Sequence, residues 1–381
     1  MSSAGTLKNF VVLHTKTAKI HFTKNFQGDA LDQSLLVAFS STISTLCNSL
    51  LGEGIREIVS VNGRLVYREF GSFVFIAHCD LQTSSAVAQA VLRDIGGICE
   101  LLFGSCEFWE EDYFDLNGAQ DVVGMFFKRT SPDPASIVGG TEQVFLEPEV
   151  CERLDKLLAY LESQNGVCGS GTMLILGDSV LYSRFGLQET RMILKYHKAR
   201  PLGTTSVRFT PVFCYNSWRN LYTVRIGNYV LVVLTYIDKA FAPLERKIAQ
   251  FRIAFTQSRL EIPIEEPPIL LRMYAKRETL AMLYHNIKTG TSIFPQLRPG
   301  PEVQQKEIMN SFWTFFSEAV SNLSVAGVTE WSISRDQYRF YARSEGIHKL
   351  YVLFTAESMS APSANVASEI LQSILQHRQL H

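Results

Sequence analysis

Apolar residues first alternate with polar ones and then run together in the stretch 55–80, a pattern that predicts a meander of three strands. Segments 55–61 and 64–71 flank Asn62-Gly63, a pair that favours the tight turn of a hairpin. The third segment, 72–80, is apolar at nearly every position through FVFIA. Because a strand covered on both faces reads as a continuous apolar run, this segment is predicted to lie centrally, with the hairpin outside it.

The same pattern occurs twice more along the chain, so the sequence contains three copies of one unit. Segment 207–238 contains the run YVLVVL, and segment 328–358 contains LYVLF. Each meander follows a strand pair and a helix pattern, and a further amphipathic helix pattern comes after it. The apolar stripe of that last helix is formed by Val87, Val91, Ile95, Ile98 and Leu102 in the first copy, by Leu244, Ile248, Phe251 and Phe255 in the second, and by Val366, Ile370, Leu371 and Ile374 in the third.

The length of the repeat, roughly a hundred residues, predicts domains that each close a core of their own. The breaks are expected where proline, glycine or acidic residues replace the apolar periodicity. The predicted division is a first domain over 7–130, a linker over 131–147, a second domain with a leading helix over 148–257, a linker over 258–268 and a third domain over 269–381.

Composition narrows the class of partner and compartment. The net charge is −1 and charged residues make up 19% of the chain, which disfavours nucleic acid because phosphate neutralisation needs clustered Lys and Arg. No apolar run reaches the roughly 20 residues that span a bilayer, and the first residues lack a signal-peptide core. The seven scattered cysteines suit reduced, packed thiols. We therefore expect a soluble, cytoplasmic protein, and 11% aromatic residues with few charges hint at an obligate partner.

Motifs that carry chemistry are weak in this sequence. FIAHCD, IVGG and LGDSV each echo a serine protease, but their order is wrong and Asp178-Ser179 lacks the flanking glycines that shape an oxyanion hole. The glycines of 166–171 precede a strand, whereas a phosphate loop must open a helix. No Cys or His spacing fits a structural metal site. The sequence predicts no catalytic residues, no metal and no cofactor, and a hydrolase with an unrecognised site remains an alternative.

The order strand pair, helix, meander and helix resembles the longin fold, and three such units resemble the triple-longin-domain family. The resemblance implies an α/β (α+β) chain of three tandem longin-like α-β-α sandwiches, each around a mostly antiparallel five-stranded sheet. It covers nearly the whole chain at the level of pattern. The most similar stretches are FSSTISTLCNSLLGEGIREIVSVNGRLVYREFGSFVFIAHCD, LGDSVLYSRFGLQETRMILKYHKARP and TLAMLYHNIKTGTSIFPQLRPGPEVQQKEIMNSFWTFF.

The resemblance implies a function without catalytic groups of its own. Triple-longin chains form heterodimers with a second triple-longin subunit, bind small GTPases of the Rab type and contact membranes peripherally, at endosomes or the ciliary base. Exchange activity is then expected only of the heterodimer, because an exchange factor acts by differential binding. The compact chain favours the planar-polarity and ciliogenesis effectors. The Rab exchange-factor subunits of late endosomes and lysosome-related organelles, including the Hermansky–Pudlak subunits, are one alternative, and a coat or trafficking adaptor scaffold is another.

A candidate partner surface lies in the first domain. The strand 64–71 carries mixed polar and apolar residues on both faces, so it is expected toward the sheet edge. The helix before it has a second stripe of small residues that admits close approach of another backbone, although an ordinary solvated face is the alternative. The predicted interface residues are Val37, Ser41, Ser44, Asn48, Tyr67, Arg68 and Phe70.

Overall fold

The computed structural model of the 381-residue chain describes sixteen stretches of residues. They are 7–26, 38–40, 42, 54–110, 120–129, 134–144, 146, 148–163, 166–203, 206–238, 241–258, 279–294, 302–323, 325–335, 337–356 and 360–379.

The first unit contains five strands followed by a long helix. Its elements are β1 (Leu7–His14), β2 (Ile20–Asn25), β3 (Glu57–Ser60), β4 (Gly63–Phe70), β5 (Phe73–Cys79), α1 (Ser85–Phe103) and α2 (Gln120–Arg129). Helix α1 begins at Ser84, whose side chain accepts a hydrogen bond from the Val87 amide at 3.3 Å. Such an N-cap satisfies one of the amides that have no partner within the helix.

The second unit follows a short segment that we call the bridging segment (134–144). This segment contains α3 (Pro134–Val138) and β6 (Thr141–Glu142). The second unit itself consists of α4 (Pro148–Glu162), β7 (Val167–Leu176), β8 (Ser179–Ser183), α5 (Leu187–Ala199), β9 (Val207–Cys214), β10 (Ser217–Ile226), β11 (Tyr229–Tyr236) and α6 (Phe241–Gln257).

The third unit repeats the same order of elements. It consists of β12 (Thr279–Asn286), β13 (Thr291–Ile293), α7 (Glu302–Leu323), β14 (Glu330–Arg335), β15 (Tyr338–Glu345), β16 (His348–Thr355) and α8 (Ser360–Gln379). Helix α7 presents a dense aromatic face to the sheet, with Phe312, Trp313 and Phe316 all buried. This face explains why the helix forms: its apolar residues recur at helical spacing and cover the sheet.

The three sheets share one topology, which confirms the predicted fold class. The strand orders are β2-β1-β5-β4-β3, β8-β7-β11-β10-β9 and β14-β15-β16-β12-β13, with neighbouring strands antiparallel. The last strand of each meander, β5, β11 or β16, is central, and each contains a run of five buried residues. The continuous apolar runs in the sequence therefore identified the central strand of each sheet, because a central strand is buried on both faces.

The third sheet carries a sixth strand that the sequence assigned to a linker. β6 pairs in parallel with β13, through Thr291 with Thr141 and Ser292 with Glu142. The next residue, Gln143, forms a parallel bridge with Val180 of β8 in the second sheet. The bridging segment thus connects two sheets through backbone pairing, which needs no apolar periodicity. The predicted linker 258–268 lies outside the described residues, apart from its first residue.

The turn of the first hairpin differs from the prediction by one residue. Ser60 pairs with Gly63, so Val61 and Asn62 occupy the turn and Gly63 is the first residue of β4. A β carbon at Gly63 would lie 2.7 Å from the carbonyl oxygen of Cys79. Glycine is required at this position because the backbone of β5 approaches it closely.

Helix α1 is shared by all three units, although each unit also has a buried cluster formed by its own residues. Leu92, Ile95 and Cys99 belong to one buried cluster that contains residues from the first and second sheets. Val87 and Ala90 belong instead to the core of the third unit, together with the aromatic residues of α7. The sequence predicted an amphipathic helix with one apolar stripe. The structure shows α1 covered on several sides, as is typical of a helix that is apolar around most of its circumference.

Candidate functional site at the junction of the three units

A cavity lies where α1 meets the other two units. Its volume is about 450 Å³, and its wall comes from β4, α1, the bridging segment, the start of α5 and the end of β12. Three arginines line it, Arg68 on β4, Arg93 on α1 and Arg191 on α5. We call this space the junction cavity. It has the size of a small-molecule site, and junctions between domains are common places for such sites.

A buried ion cluster forms the base of this region. Asp94 of α1 is 6% exposed, and its carboxylate lies close to cations on α1 and on α5. Its Oδ1 atom lies 3.9 Å from Nε of Arg93 and 3.8 Å from Nε of Arg191, and its Oδ2 atom lies 3.5 Å from Nζ of Lys195. One carboxylate therefore lies close to three cations from two helices.

Backbone carbonyls of the bridging segment hold two of the arginines in place. Arg93 donates through Nη2 to the carbonyl oxygen of Ser136, and Arg191 donates through Nη1 to that of Gly139 at 3.3 Å. Arg191 is 7% exposed, so its guanidinium is largely removed from water. The bridging segment thus fixes the arginines from one side, and Asp94 fixes them from the other.

Arg68 differs from the other two arginines because it has neither a hydrogen bond nor an ion pair with any described residue. Its guanidinium carbon lies 5.6 Å from the centre of the Phe70 ring, a cation–π contact. Burial lowers the pKa of Arg68 most, repulsion from Arg191 lowers it further, and Asp94 and Glu100 act in the opposite direction. A half-buried cation that faces a second cation is an unfavourable arrangement in the absence of a balancing anion.

The remaining titratable groups of the cavity wall are Glu100 and His285. Burial lowers the pKa of His285 to about 4, with a further contribution from Lys349. His285 is therefore neutral at pH 7, and its Nδ1 atom lies 3.0 Å from Oγ of Ser292. Glu100 supplies one negative charge on the wall, so the three arginines determine the sign of the cavity.

Glycines on α1 allow the close packing that brings these groups together. A β carbon at Gly96 would lie 2.0 Å from the Phe70 ring, and one at Gly97 would lie 3.2 Å from Cγ of Met192 on α5. Since Phe70 is buried, the ring has little room to move. The glycines cost some helical propensity and permit β4 and α5 to approach the helix backbone on two sides.

The predicted interface residues fall into two groups. Tyr67 and Phe70 are buried within the chain, and the Tyr67 hydroxyl lies 3.3 Å from Oγ of Ser40. Arg68 is half-buried at the junction cavity. Strand β4 lies one position in from the edge of its sheet, between β3 and β5. The residues that lie outside the described part of the chain are Val37, Ser41, Ser44 and Asn48.

Sequence reasoning missed the ion cluster, although a local signal was present. Asp94 lies seven residues after Val87 and four before Ile98, on the apolar stripe of α1. Lys195 lies between Leu194 and Tyr196, which are both buried. A charged residue at a core position of an amphipathic helix requires a buried partner, so each helix alone pointed to an interaction with another element.

A second surface feature is an apolar patch on the edge strand of the second sheet. On β9 its residues alternate with Val212 and Cys214, which pack in the cluster that contains α1. We call this set the β9 patch. The register places Trp218 opposite Phe213 and Tyr222 opposite Phe209. Phe209 is 52% exposed and Trp218 is 41% exposed. The members of the β9 patch are Val207, Phe209, Pro211, Phe213 and Trp218.

The third unit provides an internal comparison for this patch. Tyr222 of β10 and Tyr341 of β15 hold equivalent places, since each faces the helix that follows its meander. The edge-strand residue opposite Tyr222 is Phe209, whereas the one opposite Tyr341 is Ser332. The two neighbouring positions on the same face also change, from Val207 to Glu330 and from Pro211 to Ser334. Equivalent water-exposed places are thus apolar in one unit and polar in the other.

Other classes of site receive no support from the described residues. Among them, no three His, Cys, Asp or Glu side chains converge as metal ligands. The six cysteines in the described part of the chain are unpaired, and four of them are buried. Within the same residues, no helix combines the length and the apolar character needed to cross a bilayer.

Comparisons with known proteins identify no family. No family model matches the chain, and no curated protein matches it either. Among solved structures, a Roadblock/LC7 domain from Streptomyces avermitilis is 11% identical, covers 30% of this chain and 99% of its own, and superposes with a TM-score of 0.23. The bacteriophytochrome RpBphP3 from R. palustris is 9% identical, covers 92% of this chain and 83% of its own, and has a TM-score of 0.15. The fold assignment rests on the strand order of the three sheets.

Proposed function

We propose that this chain is a non-catalytic, partner-binding subunit of a heterodimeric triple-longin complex. The partner is a second triple-longin chain, and the pair binds a small GTPase of the Rab type at a membrane. The resemblance in sequence pattern and the threefold repeat of one sheet topology support this class. Within this class we favour a Fuzzy-like effector of planar cell polarity and ciliogenesis, because no long insertion separates the three units.

The observation that carries the proposal is the β9 patch. Large apolar side chains that remain exposed together on one face mark interaction surfaces. The comparison with the third unit shows that the fold itself does not require them, because Ser332 holds the place of Phe209. Pro211 has no backbone N–H and so hinders strand addition in the middle of β9. A partner is therefore expected to cover the face of the sheet, and not to extend its edge.

The second triple-longin chain suits such a surface because each unit of this fold presents amphipathic helices and apolar sheet faces. Burial of the aromatic members Phe209 and Trp218 would supply anchors of the type that dominate binding energy at interfaces. Binding to the GTPase then needs no nucleophile or acid–base pair, since an exchange factor or effector acts by differential affinity for conformational states.

The test is affinity isolation of the full chain from native cells, with identification of the proteins that co-purify. The parent chain is compared with Phe209→Ser, which gives the second unit the residue that the third unit has. Val325→Ser is the matched control, since Val325 is 57% exposed on the third unit, outside the patch. We expect a triple-longin chain to co-purify with the parent and with the control, and to be lost with Phe209→Ser while the melting temperature is unchanged.

The outcomes separate the candidate functions. A pair that releases fluorescent GDP from a Rab-type GTPase, with no release by either chain alone, identifies an exchange-factor subunit of the endosomal type. A pair that binds the GTPase without release identifies an effector. Co-purification of coat or cargo proteins without any triple-longin chain would contradict the proposal and favour an adaptor scaffold.

A further inference from the structure

Arginines outnumber carboxylates on the wall of the junction cavity. Arg68, Arg93 and Arg191 line it, and Glu100 is the one carboxylate among the described lining residues. His285 is neutral at pH 7 because burial lowers its pKa to about 4. Arg68 has neither a hydrogen bond nor an ion pair with any described residue, and it lies at a partly enclosed site, where screening by water is weakened and an anion is attracted more strongly than at an open surface.

Hydrogen-bond donors are also in excess. A guanidinium has five N–H groups, and Arg191 donates only one hydrogen bond to a described residue, to the Gly139 carbonyl. Arg68 donates none within the described chain. These two arginines come from different units, β4 of the first and α5 of the second, yet repulsion between them already lowers the pKa of Arg68. An anion between them would replace that repulsion by two charge-assisted contacts.

We propose that the junction cavity binds a small molecule that carries phosphate groups, with Arg68 and Arg191 as its principal ligands. A phosphate monoester bears close to two negative charges at neutral pH, so one such group can contact Arg68 and Arg191 together. The planar arginine fork suits phosphate oxygens in bidentate geometry. The volume of about 450 Å³ exceeds that of a single phosphate and accommodates a phosphorylated sugar or polyol.

The bound anion would act as a structural bridge between units. Its arginine ligands belong to the first and second units, and the bridging segment and His285 of the third unit complete the wall. Ligand binding would therefore stabilise the relative arrangement of the units, since a ligand that binds only the assembled cavity stabilises that state. This inference does not depend on the β9 patch or on the identity of a partner chain.

The experiment measures binding to the purified full chain with two soluble probes, sodium pyrophosphate and inositol hexakisphosphate. Calorimetric titration gives Kd, and thermal unfolding gives the shift in melting temperature, with sodium chloride at matched ionic strength as the reference. At a ligand concentration of 100 Kd we expect a rise of about 3 °C for a chain of this length. Arg68→Gln should raise Kd by roughly 10–100-fold, and Arg68→Lys should lose less, because it keeps the charge.

The controls distinguish a specific site from general attraction to positive charge. Arg246→Gln removes an exposed arginine on α6 and should leave Kd unchanged. The melting temperature of each variant without ligand is measured first, which separates loss of binding from loss of folding. Phosphatidylcholine vesicles with and without a phosphatidylinositol monophosphate provide a third arm, because a lipid headgroup has the same chemistry as a soluble phosphorylated polyol.

Saturable binding of a soluble probe that Arg68→Gln weakens supports a soluble ligand, and Arg68-dependent binding to the phosphoinositide vesicles alone supports the lipid form. The inference is overturned if no probe or vesicle binds, or if Arg68→Gln and Arg246→Gln affect binding equally.

Discussion

The buried ion cluster at Asp94 provides the sharpest test of the junction. The substitution Asp94→Asn keeps the shape of the side chain and removes its charge. Arg191 and Lys195, which are 7% and 3% exposed, then lose the carboxylate that both contact. Burial of a cation without a counter-charge is costly because the protein interior solvates it poorly.

The magnitude follows from the geometry. At the 3.5 Å separation of Lys195 and Asp94, Coulomb's law gives roughly 5 kcal/mol at an effective dielectric constant of about 20. Removal of one partner from a buried pair costs about 3–5 kcal/mol in measured systems. With an unfolding entropy of about 2 cal/mol/K per residue, a loss of about 4 kcal/mol lowers the melting temperature of a 381-residue chain by about 5 °C.

The assay is thermal unfolding followed by circular dichroism, with two comparison variants. Glu152→Gln breaks the exposed pair between Glu152 and Lys156, whose atoms lie 2.6 Å apart, and should shift the melting temperature by less than about 1 °C. Asp94→Asn combined with Lys195→Met removes opposite charges together and should recover part of the loss. The reasoning fails if Asp94→Asn melts within about 1 °C of the parent, or if the double variant is less stable than the single one.

Burial lowers the pKa of His197 and His285 to about 4, below the unfolded value of about 6.5, so stability is complete above about pH 6.5 and falls toward pH 4. At pH 5 each histidine should account for a loss of about 2 kcal/mol, and denaturant titrations of the His285→Gln variant should show a weaker pH dependence than the parent. Gly140→Ala places a β carbon 2.3 Å from the Gly290 carbonyl oxygen and should therefore speed proteinase K cleavage at 134–144. The control is Gly124→Ala, whose β carbon would have no neighbouring atom within 4 Å. Equal cleavage rates for the two variants would contradict the pairing of β6. Leu92→Ala should cost about 2–5 kcal/mol and lower one common unfolding transition seen by all probes, whereas separate transitions for the units would argue against a shared core.

The repeat itself could be predicted from sequence because its signals are local. The runs FVFIA, YVLVVL and LYVLF mark the central strands, and the stripe that contains Ile248 and Phe251 marks the helix after the second meander. The sharing of α1 could not be predicted in this way. Its additional contacts are made by small residues such as Ala88, Ala90 and Gly97, which allow close approach without adding to an apolar period.

The bridging segment and the junction cavity depend on contacts between residues that are distant in sequence. β6 contains two residues, too few to show a period of two, and its pairing is specified by the Gly290 turn on another unit. Arg68, Arg191 and His285 meet only after the three units have packed together. Sequence patterns report the environment of one element at a time. The position of Asp94 on an apolar stripe can therefore signal a buried partner but not which cations it contacts.

The sharing of α1 among three units has a consequence for synthesis on the ribosome. The helix ends at Phe103, but Val212 and Cys214 of β9, which belong to the same buried cluster, are translated about 100 residues later, and the aromatic face of α7 about 200 residues later. At roughly 5–20 residues per second, the apolar sides of the helix wait some 5–20 s for the second unit and about twice as long for the third. The nascent chain therefore exposes the residues of its future centre for most of its translation, when chaperone binding or aggregation at α1 competes with folding.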